Sequence, residues 1–151
     1  MNNQNRYFLQ KAVKALKELH FKPENIMVTG SIALDMQGVS NRVAHDIDLI
    51  IKMDEQTWRC MKLLEAINLA DDEVKAPKDY DSQARKKMIF LNIDGLVLNI
   101  WKYDEESDWS EIKDAETGVY VATVNHIIKA KKKYGRDKDF KDIYEIIKGL
   151  V

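Results

Sequence analysis

Two carboxylates at alternate positions, in His45-Asp46-Ile47-Asp48-Leu49-Ile50, are the residues of this chain best placed to do chemistry. On a strand, residues two apart point to the same side, so Asp46 and Asp48 share one face while Ile47, Leu49 and Ile51 share the other. Side-by-side acids repel each other unless a cation sits between them. Upstream, Val28-Thr29-Gly30-Ser31-Ile32-Ala33-Leu34 reads as a strand and a Gly-Ser turn opening a helix. Such a turn offers backbone N–H groups and a hydroxyl, which suit a phosphate. With Arg42 between the two stretches, the pattern points to a Mg²⁺-nucleotide site. An Asp-x-Asp pair by itself more often marks a solvated strand face or an N-cap near a turn; the Gly-Ser turn at a suitable spacing favours the site.

The elements that must position these residues are readable from periodicity. Leu9, Val13 and Leu16 place an amphipathic helix around 5–20, and Pro23 lies in the turn after it. Asn25 to Thr29 reads as a short buried strand, Ser31 to Gln37 as a helix closed by Gly38, and Asp46 to Lys52 as the acid-bearing strand. Asp54 is a fitting N-cap for a helix to about Leu69, with Trp58, Met61 and Leu64 inward. The polar segment 71–83, with Pro77, reads as loop with at most one short strand. Lys87 to Ile93 and Leu96 to Tyr103 flank Asp94-Gly95, a strong hairpin signal. Two helices, roughly 124–134 and 138–148, end the pattern. The expected class is α+β: one domain over 1–151, a small mixed or antiparallel sheet flanked by helices, the last two at the C-terminus.

Composition bounds the reading. At 151 residues, 45% hydrophobic and 32% charged, the chain suits one ordinary globular domain. A net charge of −1 argues against a dedicated nucleic-acid binder. The lone Cys60 excludes an internal disulfide and a Cys-rich metal site. No apolar run resembles a signal peptide or reaches bilayer length, so no membrane partner and a cytoplasmic location are expected.

Gly30-Ser31, Arg42, His45 and Asp46-Ile47-Asp48 resemble the signature of the nucleotidyltransferase superfamily that includes DNA polymerase beta. The likeness is to its small members, the antibiotic nucleotidyltransferases and the nucleotidyltransferase-like proteins of abortive-infection and toxin–antitoxin systems. Ala44 stands where many of these carry Thr. A second match follows downstream: Ile127-Ile128-Lys129-Ala130-Lys131, Gly135-Arg136-Asp137-Lys138-Asp139 and Asp142-Ile143 are similar to the closing helical pair of the same small proteins. The resemblance implies a nucleotidyltransferase fold in which Gly30 and Ser31 hold a nucleoside triphosphate, ATP being the expected one, and Asp46 and Asp48 bind Mg²⁺. Two metal ions in such enzymes set up in-line displacement of pyrophosphate by a hydroxyl.

One departure stands out. The family places a third acid on a later strand, where it completes the metal site and can accept a proton. In Leu96-Val97-Leu98-Asn99-Ile100-Trp101 the corresponding polar residue is Asn99, whose amide oxygen can contact a metal but brings neither charge nor basicity. Asp94 is better explained by its turn, and nothing in the spacing requires Asp104 or Glu105. Catalytic roles therefore fall to Asp46, Asp48 and Asn99, with transfer activity weakened or lost relative to relatives carrying all three acids.

In the penultimate helix Val124, Ile127, Ile128 and Lys131 lie at i, i+3, i+4 and i+7, so a lysine continues an apolar face. Two readings of Lys131 stand side by side: an ion-pair network with Arg136, Asp139 and Asp142, or contact with nucleotide phosphates. Arg42 likewise suits an acid or a phosphate. On the last helix Phe140, Ile143, Tyr144 and Ile147 form the expected inner stripe. Lys129, Lys132, Lys133, Lys138 and Lys141 read as a solvated basic face, with at most a weak nucleic-acid contact. His45 reads as a strand-entry hydrogen-bonding residue, Trp58 as core, Trp101 as core ahead of a base-stacking or pocket-floor role on the face of Asn99, and Trp109 as the aromatic to test for substrate contact. His20 and His126 lack ligand partners at zinc spacing, and Ser31 lacks a triad.

Two functions follow. One is a Mg²⁺-dependent nucleotidyltransferase moving a nucleoside monophosphate, AMP from ATP being the expected pair, to a hydroxyl of an unidentified small molecule, protein or RNA. The other is a catalytically weakened nucleotide- or partner-binding module of a toxin–antitoxin or phage-defence pair. A chain this short leaves room for a homodimer or protein partner to complete the cleft, and segments 71–83 and 104–118 are expected to line the acceptor side.

Overall fold

A computed structural model describes residues 1–71, 74, 78 and 80–150. Helix α1 (Asn3–Glu18) begins where the Asn2 side chain accepts from the Gln4 and Asn5 N–H groups. Its buried stripe, Leu9, Ala12, Val13 and Leu16, joins the core shared with Ile47, Leu49, Leu98 and Ile100. A 3-10 turn over Pro23–Asn25 leads into β1 (Ile26–Thr29), all but the last residue of which is buried. Helix α2 (Gly30–Met36) follows without a break. It ends in a Schellman turn: Gly38, at φ +74°, donates to Asp35 O, and Val39 donates to Leu34 O.

Strand β2 (Ile47–Ile51) buries its odd positions, so the expected alternation holds and Asp48 lies on the other face. Asp46 sits one residue ahead of it. Helix α3 (Glu55–Leu69) is capped by Asp54, which accepts from the Thr57 N–H at 2.7 Å. Met61 is buried with Trp58 and Leu64 packed on the core, and so is the unexpected Glu65. Glu65 accepts the Phe90 N–H at 2.6 Å, and Asn68 both donates to and accepts from the Asn92 backbone. Polar side chains of α3 thereby satisfy the outer edge of a strand that would otherwise invite pairing. The loop reading of 71–83 falls partly on residues outside those described; at its far end α4 (Ser82–Lys86), which the sequence reading did not anticipate, is capped by Asp81.

Strands β3 (Met88–Ile93) and β4 (Leu96–Lys102) form the expected hairpin. Asp94 and Gly95 both take positive φ, 52° and 82°, as a type I′ turn requires. A short β5 (Tyr120–Val121), also not anticipated, pairs with β1. The sheet runs β3-β4-β2-β1-β5 and is mixed: β3/β4 and β2/β1 are antiparallel, β4/β2 and β1/β5 parallel. The architecture is thus α+β, a five-stranded mixed sheet with six α-helices among the described residues, the last two being α5 (Val124–Tyr134) and α6 (Asp137–Leu150).

Helix α6 corrects one expectation. It buries Asp139, Ile143 and Ile146 and leaves Phe140, Tyr144 and Ile147 each more than half exposed. The cause is Asp139, which takes two bonds from the Arg136 guanidinium, at 2.7 and 3.1 Å, and one from the Arg136 N–H. Holding that carboxylate inward sets the rotation of the helix, and the residues four and seven positions on follow it inside.

Candidate functional site

A cleft of about 690 Å³ opens between the acid-bearing face of the sheet and the two C-terminal helices. Gly30 and Ser31 from the start of α2, Arg42 and His45 from the loop after it, Asp46 and Asp48 from β2, and Lys131, Arg136 and Asp142 from α5, α6 and the corner between them all line it. Residues singled out at opposite ends of the chain therefore meet in one place.

Its floor is built by strand register. Parallel pairing of β2 with β4 sets Asp48 beside Asn99. The Asn99 amide nitrogen donates to Asp46 Oδ2 at 2.8 Å and to Asp48 Oδ1 at 3.1 Å, bridging both acids. Asn99 is 1% exposed, and its Oδ1 has no hydrogen-bond partner among the described residues. Burial, then the neighbouring Asp46 carboxylate, pushes the Asp48 carboxyl up from 3.8 to about 7, against the opposing pull of the Asn99 hydrogen bond, Lys131 and Lys138. Gly30 closes over the same group. At φ +66° it occupies a conformation that favours glycine, and a Cβ there would run into the Asp48 carboxylate, 3.1 Å from its Cγ.

The rim is basic. Arg42 donates to Ser31 Oγ at 3.2 Å, so the two polar groups expected at a phosphate are adjacent. Lys131 Nζ sits 2.9 Å from Asp142 Oδ2, both side chains partly exposed in the cleft. Lys131 is thus paired with Asp142 and Arg136 with Asp139, two pairs in place of the expected network, and Lys131 also lines the cleft. Arg136 lies 5.3 Å from the Tyr80 ring centre and 5.5 Å from that of Tyr134 while bonded to Asp139. Burial works to raise the Asp139 carboxyl, but its hydrogen bonds to Arg136 hold it below the usual range. Gly135, at φ +63°, makes the corner that brings α6 back beside α5.

Several side chains sit elsewhere than expected. Lys138 is exposed, as are Lys129, Lys132, Lys133 and Lys141, and it also lines the cleft. Trp109 is not at the cleft: it packs edge-on against Tyr103 and Tyr120, with Lys52 Nζ 4.2 Å above its ring. No residue of 104–118 lines the cleft. From the other acceptor segment Tyr80 does, resting edge-on against Trp101. Burial and then the Asp48 and Asp46 carboxylates push its phenol above the usual range, so it is a hydrogen-bond donor. His45 is exposed at the cleft mouth.

A buried strap that periodicity did not reveal holds the Arg42 loop. Asn5 is fully buried in α1; its amide donates to Asp35 Oδ2 at 2.8 Å and to Arg42 O at 3.0 Å, and its Oδ1 accepts the Ala44 N–H at 2.8 Å. The Asn2 N–H also donates to Asp35 Oδ2. Buried Asn and Asp within helices were the available signal, since such groups are enclosed only when bonded.

Among the described residues no three His, Cys, Asp or Glu side chains gather as a metal cluster. Two carboxylates do converge, however, and supply hard oxygen donors, while Asn99 presents its amide nitrogen to them. That set fits Mg²⁺, which commonly takes one or two protein carboxylates and completes its shell with water and substrate phosphates. Comparison with protein-family models, with curated proteins and with solved structures finds no match to this chain.

Proposed function

We propose that this protein has the nucleotidyltransferase fold and is a Mg²⁺-dependent nucleotidyltransferase, using ATP as the expected donor and a hydroxyl as acceptor. The observation that carries the reading is the cleft itself: an acid pair destabilised by its own burial and proximity, ringed by Ser31, Arg42 and Lys131. A triphosphate with its cation complements both halves, the cation meeting the carboxylates and the phosphates the basic rim. Asp46 and Asp48 would hold Mg²⁺, with Ser31, Arg42 and Lys131 on the phosphate oxygens. The cation, when bound, would offset the charge that builds on the phosphates as pyrophosphate leaves. Tyr80, a protonated phenol in the cleft, would donate a hydrogen bond to the bound substrate.

Asn99 favours a second reading, a nucleotide-binding module without turnover, because among the described residues none of the side chains meeting the acids is a third carboxylate. Thermal unfolding with Mg²⁺ and each nucleoside triphosphate separates these. A ligand at about 100 times its Kd adds roughly 2.7 kcal/mol, several degrees for a domain of this size. A Mg²⁺-dependent shift lost in Asp46→Asn, with pyrophosphate released on adding hydroxyl compounds, is the expected result. A shift without pyrophosphate supports the binding module, and no shift with any triphosphate overturns both.

A further inference from the structure

We infer that the Asn99 amide turns over when a divalent cation enters the cleft, exchanging its nitrogen for Oδ1 and becoming a third, uncharged oxygen ligand beside Asp46 and Asp48. This rests on the reading of the cleft as a metal-nucleotide site and adds a role for a residue that a carboxylate-based site has no use for.

Four observations converge on it. Both bonds from the Asn99 nitrogen go to the acids, at 2.8 and 3.1 Å, which is the arrangement expected of an amide standing between carboxylates with no cation present. The other end of the same amide is buried and has no partner among the described residues. Its cross-strand neighbour on β3 is Phe90, whose side chain offers no donor. And no third His, Cys, Asp or Glu joins the acids among the described residues. A cation between the acids repels the amide hydrogens and attracts an oxygen. Because the terminal torsion of Asn is broad and roughly two-fold, a half-turn swaps the two atoms without moving the backbone. Amide oxygens are ordinary ligands for Mg²⁺ and Mn²⁺.

The sign of one mutation decides the matter. Removing an amide that only donates to the acids would leave them more strongly negative, and the cation would bind tighter. Removing a ligand would make it bind weaker. Free Mn²⁺, read by electron paramagnetic resonance without nucleotide, is the probe. Asn99→Leu is expected to weaken Mn²⁺ binding by about tenfold or more, in the range that removal of a metal-site partner commonly produces, and Asn99→Asp to tighten it. Should Asn99→Leu fold poorly, the ¹⁵N-labelled wild type titrated with Mg²⁺ gives an independent readout. The Asn99 side-chain amide resonances must then move as their bonds to the carboxylates are lost. Equal or tighter Mn²⁺ binding in Asn99→Leu, or amide resonances unmoved at saturating Mg²⁺, overturns the flip and leaves the cleft reading standing. Wild type that holds no Mn²⁺ even with ATP present overturns both.

Discussion

Replacing Asp48 by Asn should make the metal-free protein more stable, and more so as pH rises. The carboxyl is raised from 3.8 to about 7 by burial and by Asp46, so the folded state holds its proton through a window in which the unfolded chain releases it. Stability therefore falls as pH climbs from about 4 to about 7 and levels off above. Three pKa units correspond to about 4 kcal/mol. Asp48 keeps some solvent access at the cleft floor and titrates beside Asp46, which brings the expected gain to about 2–3 kcal/mol. Asn is nearly the same shape as the protonated acid, and its Oδ1 can still accept from Asn99. Urea unfolding of both proteins in EDTA at pH 5, 6, 7 and 8 measures the difference directly, free of other titrating groups common to the two. The variant should already exceed wild type by about 1 kcal/mol at pH 5 and by about 2–3 kcal/mol at pH 8, several degrees in Tm. Saturating Mg²⁺ with ATP should erase much of that gap by stabilising wild type alone. A variant no more stable than wild type at pH 8, or a difference that ignores pH, would refute the account of a site strained by unbalanced negative charge.

Gly30→Ala places a side chain in the left-handed region, costing about 1–2 kcal/mol, and drives its Cβ into the Asp48 carboxylate. Unfolding should show at least that loss, together with loss of the nucleotide-induced thermal shift. Asn5→Ala removes one of the two donors to Asp35 Oδ2 and takes the Asn5 bond from the Ala44 N–H and Arg42 O, so urea unfolding should report a loss of about 2–4 kcal/mol. Lys131→Met should change stability by no more than about 1 kcal/mol, because its pair with Asp142 is partly exposed. Its triphosphate affinity, measured by calorimetry, should fall by about tenfold or more; an unchanged affinity would return Lys131 to a purely structural role.

Exposed apolar residues on α6 show where one-dimensional periodicity stops being informative. Phe140, Ile143, Tyr144 and Ile147 form as good a helical stripe as Asp139, Ile143 and Ile146, and hydrophobicity alone prefers the first. A carboxylate took the inner face in its place, its charge met there by Arg136. Trp109 went astray for a related reason: an aromatic in a polar segment suits a substrate, yet Tyr103, Tyr120 and Lys52 arrive from other elements to surround it.

Legible in the chain itself were features governed by neighbours a few residues away. Strand alternation set Asp46 and Asp48 apart from Ile47 and Leu49, Asp54 announced α3, Asp94-Gly95 fixed the hairpin, and Gly38 marked where α2 ends. Each depends on local backbone geometry and capping, which short sequence windows carry. Tertiary structure alone decided which of those pieces meet. Parallel register brought Asn99 to the acids, the return of α6 brought Arg136 and Lys138 to the cleft, and Asn5 reached across to hold the Arg42 loop. These contacts join residues distant in sequence, and their partners are chosen by which buried polar groups can satisfy one another once the core has closed.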